Sequence, residues 1–345
     1  MIAEITDSLS LTVVSFVLSG FAVLLAGLKL TEIAERLAAL TGLGQAVLGA
    51  VFLGATTSLS GTVTSVTAAL SGQAELAYGN AIGGIAAQTT FLVIADMLYR
   101  GVNLEHAAAS EENLLQGVLL VVLLAIPLTA MSGPGVTVLG LDVASIAIVV
   151  MYVFGIRLVS MAHDSPMWSP RQTAHTAPSE SDETPGTDSS QTHKLWFSFC
   201  ILAAIVAVAG WLIAQTGMAL AERTGISQTV VGNLLTSTVT SLPELVVAIA
   251  AVRRGALALA VGDILGGNAF DVLFLVLSDI AWREGSIHLA VSDKQALWLG
   301  LSIIMVGVML LGMLRRQRHG IANIGFEGVL VLLLYGAGVS MIVLG

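Results

Sequence analysis

The sequence predicts an all-α polytopic membrane protein, with ten transmembrane helices arranged as two inverted five-helix repeats. Three observations carry this expectation. Of the 345 residues, 56% are hydrophobic and 11% charged, with a mean hydropathy of +0.90, a balance that excludes a soluble domain of this size. Ten apolar segments are each near or above the roughly 20 residues that cross a bilayer. The two halves of the chain match each other without a gap at an offset of 183 residues. Five spans per half is an odd number, so the second half enters the membrane from the opposite side.

The segments fall at 9–30, 44–70, 76–98, 113–132, 137–161, 195–217, 227–252, 257–281, 294–314 and 323–344. The N-terminal MIAEITDSLS holds Glu4 and Asp7 but no Lys or Arg. It lacks the basic n-region of a cleaved signal, so the first apolar run reads as a retained span. Residues 31–41 (TEIAERLAALT) read as a short amphipathic extension at the interface. Residues 163–194 are rich in Ser, Thr, Pro and acidic residues and nearly free of aliphatics. They cannot bury a core and read as a disordered linker. The chain thus divides into a first repeat (1–162), the linker (163–194) and a second repeat (195–345). Cys200 is the single cysteine, which excludes an intramolecular disulfide and any cysteine-based metal site. With the N-terminus outside, the basic residues split 11 inside to 3 outside. The positive-inside rule therefore places both termini outside a plasma (inner) membrane and the linker in the cytoplasm.

The internal match is densest around the second and third segments of each half. Thr57-Ser58-Leu59 falls on Thr240-Ser241-Leu242, Gly83-Gly84 on Gly266-Gly267, and Phe91-Leu92-Val93 on Phe274-Leu275-Val276. Asp96 falls on Asp279 and Arg100 on Arg283. Each Asp–Arg pair is spaced i,i+4 and reads as a structural helix-end pair.

The chemistry concentrates between Thr236 and Asp271. Pro243 removes an N–H and frees a carbonyl within an apolar helix. Unpaired backbone in a bilayer is tolerated only where protein buries it or a wet cavity receives it. Glu244 and Asp271 are carboxylates within membrane segments, each costing on the order of 3 kcal/mol to insert, so each is a functional candidate. Hydroxyls at Thr236, Ser237, Thr238, Thr240 and Ser241 complete an oxygen-rich site suited to a hard cation. Asp263 and Asp271 lie on one helix about 12 Å apart by rise, which argues against a two-aspartate protease.

The run TSLPEL, followed by GDILGGNAFD, resembles the second α-repeat of the sodium/calcium exchanger family. The five-plus-five layout with a cytoplasmic linker is similar as well. The resemblance implies a carrier that moves Ca2+ against Na+, or H+ in some branches, at a midplane site between the repeats. It implies Glu244 as principal anionic ligand and Asp271 as second charge or proton acceptor. Thr240, Ser241, Asn268, Thr57 and Ser58 would supply the remaining oxygens. No soluble cofactor follows from it. The expected partners are the transported cations and the lipid bilayer, with no nucleic acid and no protein partner.

The chain departs from the family pattern in its first half. Pro-Glu of the first repeat is here Ser60-Gly61, and the last Asn of that repeat's motif is Gln88. One negative charge is therefore missing in a medium where uncompensated charge is costly. Three readings stay open: Asp271 replaces that charge and Ca2+ is carried, or the site takes a monovalent cation, or Glu244 and Asp271 titrate and H+ is a coupling ion. An ion-binding sensor or scaffold without transport is a further alternative.

Overall fold

A computed structural model describes residues 8–41, 47–99, 103–164, 167–168, 189–317 and 325–344. The expected linker lies largely outside the described residues. In chain order the helices are α1 (Leu9–Thr41), α2 (Val47–Thr57), α3 (Leu59–Leu70), α4 (Ala74–Leu98), the short α5 (Leu104–Ala108), α6 (Glu111–Ala130) and α7 (Val143–Asp164). There follow α8 (Ser189–Thr224), α9 (Gln228–Thr240), α10 (Leu242–Arg253), α11 (Leu257–Asp271), α12 (Leu273–Ala281), α13 (Asp293–Arg315) and α14 (Phe326–Leu344). Strands β1 (Thr137–Val138) and β2 (Leu141–Asp142) form a small antiparallel hairpin before α7.

Among the described residues, eight helical stretches are long and apolar enough to span a membrane. A ninth is the broken pair α9–α10, bent by 47°. The chain is thus an integral membrane protein with an all-helical core. Residues 31–41 do not form a separate interfacial piece, because α1 continues through them to Thr41. The last turns of α1 bury Leu37 and Ala38 and pair Glu32 with Lys29 and Arg36. An amphipathic face with its own ion pairs propagates the existing helix at little cost.

Depth within the bundle separates the helices into two layers. The most apolar window of α4 is 83% buried and that of α11–α12 67%, while those of α1, α6, α7, α8 and α14 are 28–39% buried. The central helices can approach one another because they carry glycine where backbones cross. A Cβ at Gly83 of α4 would sit 2.3 Å from the carbonyl oxygen of Asn233. The segment it meets, Val231–Thr236 within α9, is wound as a π-helix, a winding found often at functional sites. The outer helices turn Leu18, Phe21, Leu25, Val150 and Leu333 outward, as a lipid-facing surface requires. α1 and α8 pack along Phe16, Val23, Ala209 and Ile213.

Candidate functional site

Two chain breaks face each other at the centre of the bundle. α9 ends and α10 begins at Ser241, whose backbone sits at φ −98°, ψ 5°. Pro243 explains this break, since it lacks the N–H that would continue the ladder. α2 ends and α3 begins at Ser58, at φ −86°, ψ 9°. No proline lies there. Instead Thr56 and Thr57 bond back to Phe52, Leu53 and Gly54 carbonyls, and Thr62 to that of Ser58. Such hydroxyl back-bonding competes with the helical ladder and bends it. Ser60 then donates to the Thr240 carbonyl at 3.2 Å, so one broken segment satisfies the other.

Asp271, at the end of α11, is the hub. Ser58 Oγ donates to its Oδ1 at 2.6 Å, and Gln88 Nε2 of α4 to its Oδ2 at 2.7 Å. Gln88 Nε2 also reaches Ser241 Oγ at 3.2 Å. Asp271 is 2% exposed. Around these groups lies a cavity of about 10 Å3, lined by Ser58, Gly61, Asn80, Gly84, Gln88, Thr240, Ser241, Glu244, Asp271 and Phe274. That volume suits a single water-sized sphere. Its wall has two carboxylates and no Lys or Arg.

Glu244 is half-buried, its Oε2 has no hydrogen-bond partner, and it lines a second cavity too. This cleft is large, about 1060 Å3, and is bordered by further acids, Glu35, Glu112 and Asp263. Glu244 therefore stands where the cleft meets the central cavity. Among the described residues, no group of three or more His, Cys, Asp or Glu side chains is placed to hold a metal ion by itself. A cation held here would complete its shell with hydroxyl, amide and backbone oxygens, as hard cations accept.

Of the seven residues singled out by sequence, the structure brings Ser58, Thr240, Ser241, Glu244 and Asp271 to the central cavity. It does not place Thr57 there. That hydroxyl bonds its own helix, and the residue lines the large cleft. Nor does Asn268 line either cavity. Its amide nitrogen donates to Thr89 Oγ1 at 3.3 Å and reaches Ile85 O at 3.5 Å. Five residues absent from that set also stand on the wall: Gln88, Asn80, Gly61, Gly84 and Phe274. Gln88 carried a signal, since the internal offset of 183 sets it on Asp271. Gly61, at the position of Glu244 in the other half, is covered by the Phe274 ring: a Cβ there would lie 2.6 Å from Cε2.

Asp279 is not held by Arg283, as the i,i+4 spacing suggested. It accepts from Ile287 N at 3.0 Å and from Asp142 N and Ser145 Oγ at 2.8 Å each. Arg100 lies outside the described residues.

The fold and site define a class: integral membrane proteins with broken helices around a buried, acidic, oxygen-lined cavity. The family model described as sodium/calcium exchanger protein matches residues 11–162 and 193–344. The chain belongs to that family. Among solved structures, it is similar to the H+/Ca2+ exchanger CAX at TM-score 0.70 and 14% identity, covering 99% of this chain and 90% of that one. The native YfkE structure gives TM-score 0.63 at 14% identity, with 99% and 98% coverage. The sodium-calcium exchanger NCX_Mj gives 0.62 at 18% identity, with 96% and 99% coverage. No curated protein matches the chain in sequence.

Proposed function

We propose that the protein is a secondary-active cation antiporter. It exchanges Ca2+ or a related cation for Na+ or H+ by alternating access at a midplane site. The carrying observation is Asp271, bridged to the other half of the chain by Ser58 and Gln88, with Glu244 between the same cavity and the acidic cleft. The similarity to exchangers named for H+/Ca2+ and for sodium and calcium supports the same ion classes here.

Inverted repeats account for several contacts at once. The breaks at Ser58 and Ser241 are 183 residues apart and share their backbone angles. Gln88 meets Asp271, and Asn268 meets the Ile85 carbonyl, again across 183 residues. Contacts between equivalent positions are expected on a two-fold axis in the membrane plane. In this reading α2–α3 is a tenth span, broken like α9–α10, and the repeats are 1–162 and 195–345. Both termini lie outside the plasma membrane. The cleft then opens inward, and its acids concentrate cations before the site. Glu244 is the principal ligand and Asp271 the second charge, with oxygens from Ser58, Ser241 and Thr240. Thr57 and Asn268 join when the broken helices move.

The covered Gly61 favours a second reading, in which the reduced charge suits monovalent cation/proton exchange. Ion flux in proteoliposomes decides. Radioactive Ca2+ uptake is driven by an outward Na+ gradient, then by a pH gradient, in the wild type and in Glu244→Gln. Uptake lost in the variant supports Ca2+ exchange and names the coupling ion. No Ca2+ movement under either gradient, with Na+/H+ exchange present, establishes the monovalent reading. No flux of any kind leaves a sensor or scaffold.

A further inference from the structure

We propose that Asp96, Glu105 and Glu327 form a second ion site, away from the central cavity, whose ligand is the proton. The three carboxyls come from the end of α4, from α5 and from the first turn of α14. They are 1%, 2% and 0% exposed. Asp96 Oδ1 accepts from Leu104 N at 2.8 Å. Glu105 Oε2 and both carboxyl oxygens of Glu327 have no hydrogen-bond partner, and Glu105 lies close enough to feel the charges of both Asp96 and Glu327. Like charges buried together in a low-dielectric interior repel, and a proton on one carboxyl relieves that repulsion.

The site is built rather than left over. Glu327 lies against the backbone of Gly312 on α13, where a Cβ would meet its Cγ at 2.5 Å. Asn103, which precedes α5 and is 1% exposed, has neither amide atom bonded. The three acids do not converge as metal ligands. Among the described basic residues, Arg316, at the end of α13, donates to the His106 carbonyl at 3.2 and 3.3 Å, and His106 Nδ1 to the Arg316 carbonyl at 2.8 Å. His106 Nε2 is unpartnered. On α11, which also packs against α5, Asp263 faces the large cleft instead.

The other half of the chain shows how the same corner is completed without loose protons. Asp279 accepts from Ile287 N at 3.0 Å, as Asp96 does from Leu104 N, and both residues of each pair are related by the offset of 183. Glu105 is there His288. Its Nδ1 meets Tyr78 OH and its Nε2 meets Ser145 Oγ, each at 3.1 Å, and Ser145 donates on to Asp279. Burial holds the His288 imidazole below its usual value, so a neutral ring fits this chain of donors. Burial, and then the charges of Asp96 and Glu327, push the Glu105 carboxyl well above its ordinary 4.5. A folded state that binds this proton more tightly than the unfolded chain is fully favoured at acid pH. That advantage is lost as pH rises toward the folded value.

Infrared difference spectra of the purified protein across pH steps read the acid directly. The expected result is a protonated-carboxyl band at neutral pH that bleaches in alkali and is altered in both Glu105→Gln and Glu327→Gln. Gln keeps the shape of the protonated acid, so both variants should fold. The pH dependence of their melting temperature should flatten by about one proton above the ordinary carboxyl range. A band and a slope identical to wild type in both variants overturn the proposal. If one variant fails to fold, Asp96→Asn replaces it, and an unaltered band and slope there count equally against the site. The test is independent of which cation crosses the membrane.

Discussion

The two broken segments reach one cavity by different means, and they bring unequal chemistry to it. Ser241-Leu242-Pro243-Glu244 breaks through a proline and delivers a carboxylate. Ser58-Leu59-Ser60-Gly61 breaks through hydroxyls and delivers only a hydroxyl, with Phe274 lying where a first-half carboxylate would project. The two segments therefore share the backbone geometry of their breaks although only one of them carries a charge. What preserves the geometry is cross-bonding: Ser60 to Thr240, Ser58 and Gln88 to Asp271.

The largest expected effect tests the hub that joins the halves. Asp271→Asn should lower exchange at least 100-fold, because it removes one of the two carboxylates on the cavity wall; flux in proteoliposomes measures it, and retention of half the rate would refute the hub. Restoring symmetry should be nearly as consequential. Gly61→Glu should destabilise the fold by about 1–3 kcal/mol through overpacking against Phe274, seen as a lower melting temperature. Gly61→Glu with Phe274→Ala should regain that stability and bind divalent cations at least tenfold more tightly, read by calorimetry. If the double variant stays as unstable as the single one, the ring is not what excludes the second carboxylate.

The two serines should differ less. Ser58→Ala removes a charge-assisted hydrogen bond worth about 1.5–3 kcal/mol, so cation affinity should change by tenfold or more. Ser241→Ala removes a neutral one, worth about 1 kcal/mol, and should change affinity about fivefold. Equal effects would mean that Asp271 is not preferentially held by the first half. The smallest effect is expected of Pro243→Ala. Since the first half breaks without proline, hydroxyls and packing should hold the second break as well. Exchange should fall only about twofold, and a complete loss would show that the second break depends on the proline alone.

Much of this is legible in the order of the residues. Pro243 and Glu244 announced a broken, charged helix, and the bend lies where the missing N–H puts it. Position 58 was legible only through its match to 241, because a run of Thr and Ser looks the same whether it lines a cavity or bonds its own helix. Thr57 shows the ambiguity, since its hydroxyl turns back to Leu53 and Gly54. Gln88 looked like a lost asparagine, yet its longer amide bridges Asp271 and Ser241. The match to 279 and 283 suggested an Asp–Arg pair, but backbone N–H groups of a distant turn reached Asp279 first.

Hydropathy, the internal offset and the intramembrane carboxylates are properties of residue order, and they sufficed for the membrane class and the family. Composition sets the cost of leaving a membrane or entering one, and no fold changes that cost. Which oxygens face one another depends on helix rotation and close approach, and these are decided by packing between segments far apart in the chain. Glu105 and Glu327 show it best. Neither stands out in the sequence, and they become one site because Gly312 leaves room for a carboxyl between α13 and α14.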